Sequence, residues 1–351
     1  MRNADRWSAV SPTAQSAKAA QASRLRHSRP GGQRYKLCKI PGLMYGVVDF
    51  PNLAMLNLFG AVRANPSYSK LEIGDFLFAE YTCGTKDQKL PNWTEVDYFV
   101  HVVTGRKTWH TSDGVWRANP GDTLFFKKGA TIAEQHFEAD VCLLMVFIPD
   151  ALMRSTIREV ITALNVKVSE SAPIKSGLRV ENDVALAALF QSMRTYLSGN
   201  EKPPEPLLRL KLKELVISVF TSGTNSELAG YFKKIGASDA PSVPEIMEAN
   251  FRFNLSLEEY AKLCHRSLSS FKRDFQTSFR EAPGKWLLRK RLDYSAALLR
   301  TSKMNVTEIA FESGFEDVSH FSRVFKDRFD APPMAYRQAG PSVGDLTRPV
   351  K

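Results

Sequence analysis

The stretches SLEEYAKLCHRSLSSFKRDF at 256–275 and VTEIAFESGFEDVSHFSRVF at 306–325 decide how this chain folds. Phe271, Arg273 and Phe275 recur fifty positions on as Phe321, Arg323 and Phe325, while Ala261 recurs forty-nine positions on as Ala310. One unit is therefore written twice, with a one-residue difference in its turn. In the first copy Leu257, Tyr260, Ala261 and Cys264 share a helical face. His265-Arg266-Ser267 then interrupts the pattern, and Phe271, Phe275 and Phe279 resume it at i, i+4 and i+8. Ser256 with Glu259 three residues later is a capping-box start. In the second copy Val306, Ile309 and Ala310 form the first face, Gly314 is the turn glycine, and Phe321, Phe325 and Phe329 stripe the second helix. Small residues at Ala261 and Ala310 let two helices cross closely, as a helix-turn-helix requires.

The opposite face of each second helix is basic and hydrogen-bonding. Ser269, Ser270, Lys272, Arg273 and Gln276 lie opposite the Phe271 stripe, and Ser319, His320, Ser322, Arg323 and Lys326 opposite the Phe321 stripe. Arginine presents a bidentate fork to guanine O6 and N7, and Ser or Gln reaches base edges or phosphates. Any soluble helix has a polar outer face, but chance does not repeat a turn, a stripe and an arginine together. Between the copies, APGKWLLRKRLDYSAALLR (282–300) predicts one rigid helix, with Pro283 in its first turn and Trp286, Leu287, Leu292, Ala296 and Leu299 on its apolar side.

These residues, with the ending GFEDVSHFSRVFKDRFDAPPMAYR (314–337), resemble the DNA-binding domain of the AraC/XylS family of bacterial transcription regulators over roughly the last hundred residues. The resemblance implies double-stranded DNA and RNA polymerase as partners, recognition helices at 268–279 and 318–329, and no cofactor. Arg280 and Asp330 depart from the pattern: the family often has glycine after each recognition helix, so differently shaped C-caps are expected.

Charge follows the same division. The chain carries a net +11, but residues 1–34 hold seven Lys or Arg against one Asp, so much of the excess sits in that tail. Lys262–Arg291 has nine basic and two acidic residues, a net +7, whereas Lys303–Asp330 has four and six, a net of −2. The first copy is therefore expected to supply most of the phosphate attraction. Residues 1–34, rich in Ala, Ser, Gln and Arg, read as a disordered basic extension.

Residues 35–150 change to period two and short runs. LMYGVVDF (43–50), AMLNLFGAV (54–62), DFLFAEYTCG (75–84), VDYFVHVVTG (96–105), RKTWH (106–110), DTLFFKK (122–128) and ADVCLLMVFI (139–148) each read as strands separated by turn residues. An antiparallel barrel or jelly roll is expected. NPGDTLFFKKG (119–129) is similar to the turn and strand of a cupin. Cupin enzymes usually pair two histidines one residue apart, whereas His101, His110 and His136 stand singly. Neither a metal nor catalysis is expected. Trp93, Trp109 and Trp116 suit either a small-molecule pocket or barrel filling. Cys38, Cys83, Cys142 and Cys264 show no CxxC spacing.

Residues 151–236 are helical in pattern, and in the third segment Leu208, Leu212, Leu215 and Val219 stripe a face for a second subunit or for the barrel. The linker falls near Gly236 to Pro244, the DNA-binding domain over 237–340, and a short tail over 341–351. The expected class is α+β: an N-terminal antiparallel cupin-like β-barrel with a helical hairpin, then an all-α domain of two helix-turn-helix units joined by a long helix. The layout is similar to the type III secretion activators of the family. A cytoplasmic homodimeric activator follows, its N-domain sensing a small-molecule or protein effector, with no membrane association. Two other readings compete, a cupin enzyme fused to a DNA-binding module and an interaction protein that has lost DNA binding.

Overall fold

The computed structural model describes residues 55–74, 76–83, 89–136, 140–166, 175–199 and 202–338. The basic extension at 1–34, the strand expected at 43–50, the tail at 341–351, Cys38 and the side chain of Cys83 lie outside the described residues.

The N-terminal part comprises β1 (Leu56–Asn57), α1 (Leu58–Ala64), β2 (Ser69–Ile73), β3 (Phe76–Cys83), β4 (Lys89–Thr94), β5 (Asp97–Thr104), β6 (Arg106–Thr111), β7 (Gly114–Ala118), β8 (Thr123–Phe126), β9 (Gly129–His136) and β10 (Val141–Ile148). Then come α2 (Asp150–Ala163), β11 (Gly177–Val180), α3 (Val184–Ser198), α4 (Glu205–Thr221) and α5 (Ser226–Ala237). The strands pair as two sheets, β1-β4-β9-β6-β7 and β11-β8-β5-β10-β3-β2, antiparallel except for β1 with β4. Among the described residues neither sheet closes on itself, so the expected barrel is an open two-sheet sandwich.

In the middle of the second sheet β8 and β10 are buried along their whole length, which is why TLFF and VCLLMVFI read as apolar runs. In β10, Leu143, Met145 and Phe147 pack into the sandwich with Tyr98, Trp109, Leu124 and Phe126. Leu144, Val146 and Ile148 face the helices, joining Phe99 and Phe125 against Val160, Leu212, Val216 and Phe232. Each buried aromatic or aliphatic side chain contributes about 1.5–3 kcal/mol of transfer free energy. The stripe Leu208, Leu212, Leu215 and Val219 is thus spent within this chain's own core. The three tryptophans are also structural. Trp93 and Trp109 are buried and Trp116 partly so, its indole donating to Thr111 Oγ1 at 3.2 Å.

Two expectations are corrected. AMLNLFGAV is mostly the helix α1, because Asn57 caps it by accepting from Gly60 N at 2.8 Å and Leu58, Phe59 and Val62 pack down on one side. The stretch TSGTNSELAGYFKKIGASDAPSVP (221–244), which reads in sequence as the bridge to the DNA-binding domain with its linker proper near Gly236 to Pro244, contains α5, whose Leu228, Tyr231 and Phe232 are buried.

The C-terminal part holds α6 (Val243–Asn250), α7 (Leu257–Leu263), α8 (Leu268–Phe279), α9 (Pro283–Thr301), α10 (Val306–Glu312), α11 (Val318–Phe329) and α12 (Pro333–Gln338). The repeat runs further than the two quoted stretches. Pro283 and Trp286 recur as Pro333 and Tyr336, and Trp286 packs on Phe275 and Phe279 as Tyr336 packs on Phe325 and Phe329.

Candidate nucleic-acid interface

Each unit is built from its caps inward. Ser256 and Glu259 form the expected capping box at the start of α7, and Asn305 with Glu308 repeats it at α10. Ser267 accepts from Ser270 N at 3.2 Å to start α8, while Asp317 accepts from Ser319 N and His320 N to start α11. Such caps contribute about 0.5–2 kcal/mol each. Phe271 and Phe275, like Phe321 and Phe325, are fully buried, so the rotation of α8 and α11 is fixed by their aromatic stripes.

That rotation presents the candidate residues outward. Ser269, Lys272, Arg273 and Gln276 on α8 are exposed, as are Ser319, His320, Arg323 and Lys326 on α11; Ser270 and Ser322 sit half-buried on the flanks. Arg273 is 77% exposed, with Nε 3.6 Å from Asp274 Oδ1. Asp274 is already engaged by Arg266, whose Nε donates at 2.7 Å, and this holds the carboxyl below its usual range. The acid on α8 is thereby offset chiefly by Arg266, with Arg273 as its more distant and more exposed partner. On α11, Arg328 is drawn inward to Asp293 on α9, its Nε donating at 3.0 Å. Among the described residues Lys272, Arg323 and Lys326 pair with no carboxylate.

The acids of the second unit are mostly structural. Glu308 and Asp317 serve caps, Glu312 pairs with Arg252, and Glu316 accepts from Asn254. Four of the six acids in that stretch are thus engaged in caps or in links to the first unit.

Arg280 and Asp330 end α8 and α11 in left-handed conformation, at φ 55° and 58°. The expected departure in cap shape does not occur: both adopt the backbone that glycine favours, and their N–H groups close onto Gln276 O and Lys326 O. For a side chain this conformation costs about 1–2 kcal/mol. Arg280→Gly is accordingly expected to stabilise the chain by roughly 0.5–1 kcal/mol in denaturant titrations. A destabilisation of similar size would mean that the Arg280 side chain contributes more than its backbone costs.

The first unit is docked on the sheets by groups the sequence pattern did not reveal. Asn250 is buried at the end of α6 and accepts from Ala130 N at 2.7 Å, while its own carbonyl accepts from Tyr260 OH at 2.9 Å. Gly129 allows this approach, since a Cβ there would lie 2.7 Å from Asn250 Oδ1. Met55, Trp93 and Ala130 share one apolar cluster with Met247, Phe271 and Phe275. Asp150 at the start of α2 meets Lys128, Arg154 and His265, with His265 Nε2 3.4 Å away. Burial alone would raise the Asp150 carboxyl, but the His265 hydrogen bond and the Lys128 charge hold it below the usual range. A cavity of about 260 Å³ beside this cluster is lined by Lys128, Asp150, Arg154, Tyr231, Lys234 and Glu245.

Each single histidine of the sheets has its own neighbour: His101 Nδ1 bonds Thr123 Oγ1 at 2.9 Å, His110 bonds Glu134 at 2.7 Å, and His136 bonds Thr108 Oγ1 at 2.8 Å. Among the described residues no group of three or more His, Cys, Asp or Glu could hold a metal ion, and no helix is long and apolar enough to cross a membrane. Cys142 and Cys264 are buried free thiols pushed up to about 12 by desolvation. His101 also stacks on Phe190 of α3 at 4.7 Å, and burial lowers its pKa below 6.5. Its stabilising contribution is therefore full above the unfolded value and is lost as pH falls through the lowered one. Thermal unfolding of wild type and His101→Gln at pH 7.5 and 5.5 should show wild type losing more on acidification; parallel losses would assign the effect elsewhere.

Residues 97–231 match the family model described as the ExsA N-terminal regulatory domain, and 260–339 match a helix-turn-helix domain. The chain is 22% identical over 236 residues to the virulence regulon transcriptional activator VirF of Yersinia enterocolitica, covering 67% of this chain and 87% of that one. It is 22% identical over 237 residues to the transcriptional regulator ExsA of Pseudomonas aeruginosa, covering 68% and 84%. Among solved structures it is similar to ToxT from Vibrio cholerae, with TM-score 0.36 and 16% identity over 76% of this chain and 99% of that chain.

Proposed function

We propose that this chain, a member of the AraC/XylS family of bacterial transcription regulators, activates transcription by reading DNA with two recognition helices set in successive major grooves. The observation that carries the reading is the matched pair of outward faces on α8 and α11, which equal-length aromatic stripes and left-handed caps turn the same way within each unit. Arg273 is the principal base-reading residue, with Ser269, Ser270, Lys272 and Gln276 beside it. Ser319, His320, Ser322, Arg323 and Lys326 serve mainly phosphate contact and register.

The regulatory domain spans 35–150 with its helices at 151–236, and DNA binding belongs to 237–340. RNA polymerase, a second copy of the chain and a small-molecule or protein effector at the regulatory domain are its further partners, in the cytoplasm. Neither a cofactor nor an enzymatic activity is part of this function. The test is a mobility shift of the purified chain with genomic fragments under excess competitor DNA. A subset of fragments should stay retarded; uniform loss of every complex would favour an interaction protein that no longer binds DNA selectively.

A further inference from the structure

We propose that Arg252 sets the relative phase of the two recognition helices, and so fixes the half-site spacing the chain accepts; this rests on the two-groove reading above. The loop from Phe251 to Asn254, between α6 and α7, is wedged between the joining helix and the turn of the second unit. On one side Arg291 of α9 donates from Nε to Phe251 O at 2.7 Å and from Nη2 to Phe253 O at 2.8 Å. On the other, Arg252 donates from Nε to Glu312 O at 3.3 Å and pairs through Nη2 with the Glu312 carboxylate. Its guanidinium lies 4.7 Å from the Tyr294 ring of α9, and its side chain is only 16% exposed.

The fit against the second unit is close. Gly314, at φ 85°, forms the turn between α10 and α11, and a Cβ there would stand 2.6 Å from Arg252 O. Asn254 adds a hydrogen bond to Glu316 beyond that turn. A shift of the loop must therefore displace the end of α10 and with it the start of α11. The joining helix, 19 residues or about 28 Å long, sets only the gross separation. Its angle to the second unit depends on side contacts, and a rigid five-donor fork is suited to hold it.

A third arm of the same guanidinium reaches the regulatory sheets. Arg252 Nη1 donates to Ser112 O, in the turn between β6 and β7, at 2.6 Å. That turn is pinned by Asp113, which accepts from Thr111 Oγ1 at 2.9 Å and from Ser176 N at 2.8 Å. One side chain thus ties a regulatory hairpin, the first unit's loop and the second unit's turn together, and releasing the hairpin frees part of the fork.

The experiment uses the full chain and a set of operators in which one base pair is inserted or removed between the half-sites. Each such change turns the half-sites by about 35° relative to one another. Wild type should lose about tenfold or more in affinity per change, on the scale of a mismatched base pair. Arg252→Ala and Arg252→Lys should cut that penalty to about threefold or less while leaving base preference within each half-site unchanged. Glu312→Gln and Asp113→Ala, each loosening one arm, should give intermediate penalties, and they keep the test open if Arg252→Ala does not fold. Penalties within about twofold of wild type in every folded variant, or altered base preference instead, would overturn the assignment. A wild type indifferent to spacing would remove the two-groove reading itself, an outcome distinct from the first.

Discussion

Arg273→Ala is expected to weaken binding to the cognate site by about 1–3 kcal/mol and to relax base preference at one position, the scale of a lost bidentate guanine contact. Arg273 stands on the outward face of α8, well exposed, and Asp274 beside it is already taken up by Arg266. The Arg273 fork meets Asp274 only at 3.6 Å and is well exposed, so it can turn to a base edge. Arg323→Ala should cost less and should weaken cognate and mutated sites by similar factors. Around α8 the stretch Lys262–Arg291 carries +7, against −2 for Lys303–Asp330. The structure moderates this contrast, because several acids of the second unit are engaged in caps and in links to Arg252 and Asn254. It does not reverse it. Quantitative mobility shifts at fixed salt with both variants decide between the units, and greater damage from Arg323→Ala would place the reading on α11.

The largest stability effects are expected from the aromatic stripes. Phe275→Ala and Phe325→Ala each remove a fully buried ring and should cost about 3–5 kcal/mol. Their consequences should differ in kind. Phe325 belongs to a cluster made only of α9 to α12 residues and the turn before α11, with Phe321, Leu299 and Tyr336. Its loss should make the second unit unfold first, as a separate early transition in denaturant. Phe275 shares its cluster with Met55, Trp93 and Ala130, so its loss should also loosen the first unit from the sheets. Denaturation followed by near-ultraviolet dichroism separates the cases; one shared transition for both variants would mean that the two units fold together.

The helix-turn-helix units were legible because their signals are local and repeated. Caps, a turn glycine and a fixed aromatic period lie within twenty residues, and α8 and α11 begin and end where the pattern put them. The sheets were less so. β10 and β5 announced themselves by burial on both faces, but β4 contains Pro91 and Asn92 and is held by its register with β9, a pairing nearly forty residues distant in sequence. β11 falls inside residues 151–236, which read as helices with SESAPIKSG (169–177) only as a break between them, and exists through its pairing with β8. The α1 segment alternated like a strand until the Asn57 cap is considered. Besides the apolar patch of Met55, Trp93 and Ala130, the links from the N-terminal part to the first unit are polar and non-periodic: Asn250 on Ala130, His265 on Asp150, Arg252 on Ser112. Single residues meeting across more than a hundred positions leave no pattern along the chain.

Guanine-methylation interference on an operator recovered by immunoprecipitation tests the central claim most directly, because N7 methylation blocks contacts in the major groove and nowhere else. Two clusters of interference are expected on one face of the duplex, about 10–10.5 base pairs apart centre to centre, with the stronger cluster lost in Arg273→Ala. A single cluster, or two that persist unchanged in Arg273→Ala, would contradict paired reading led by the first helix.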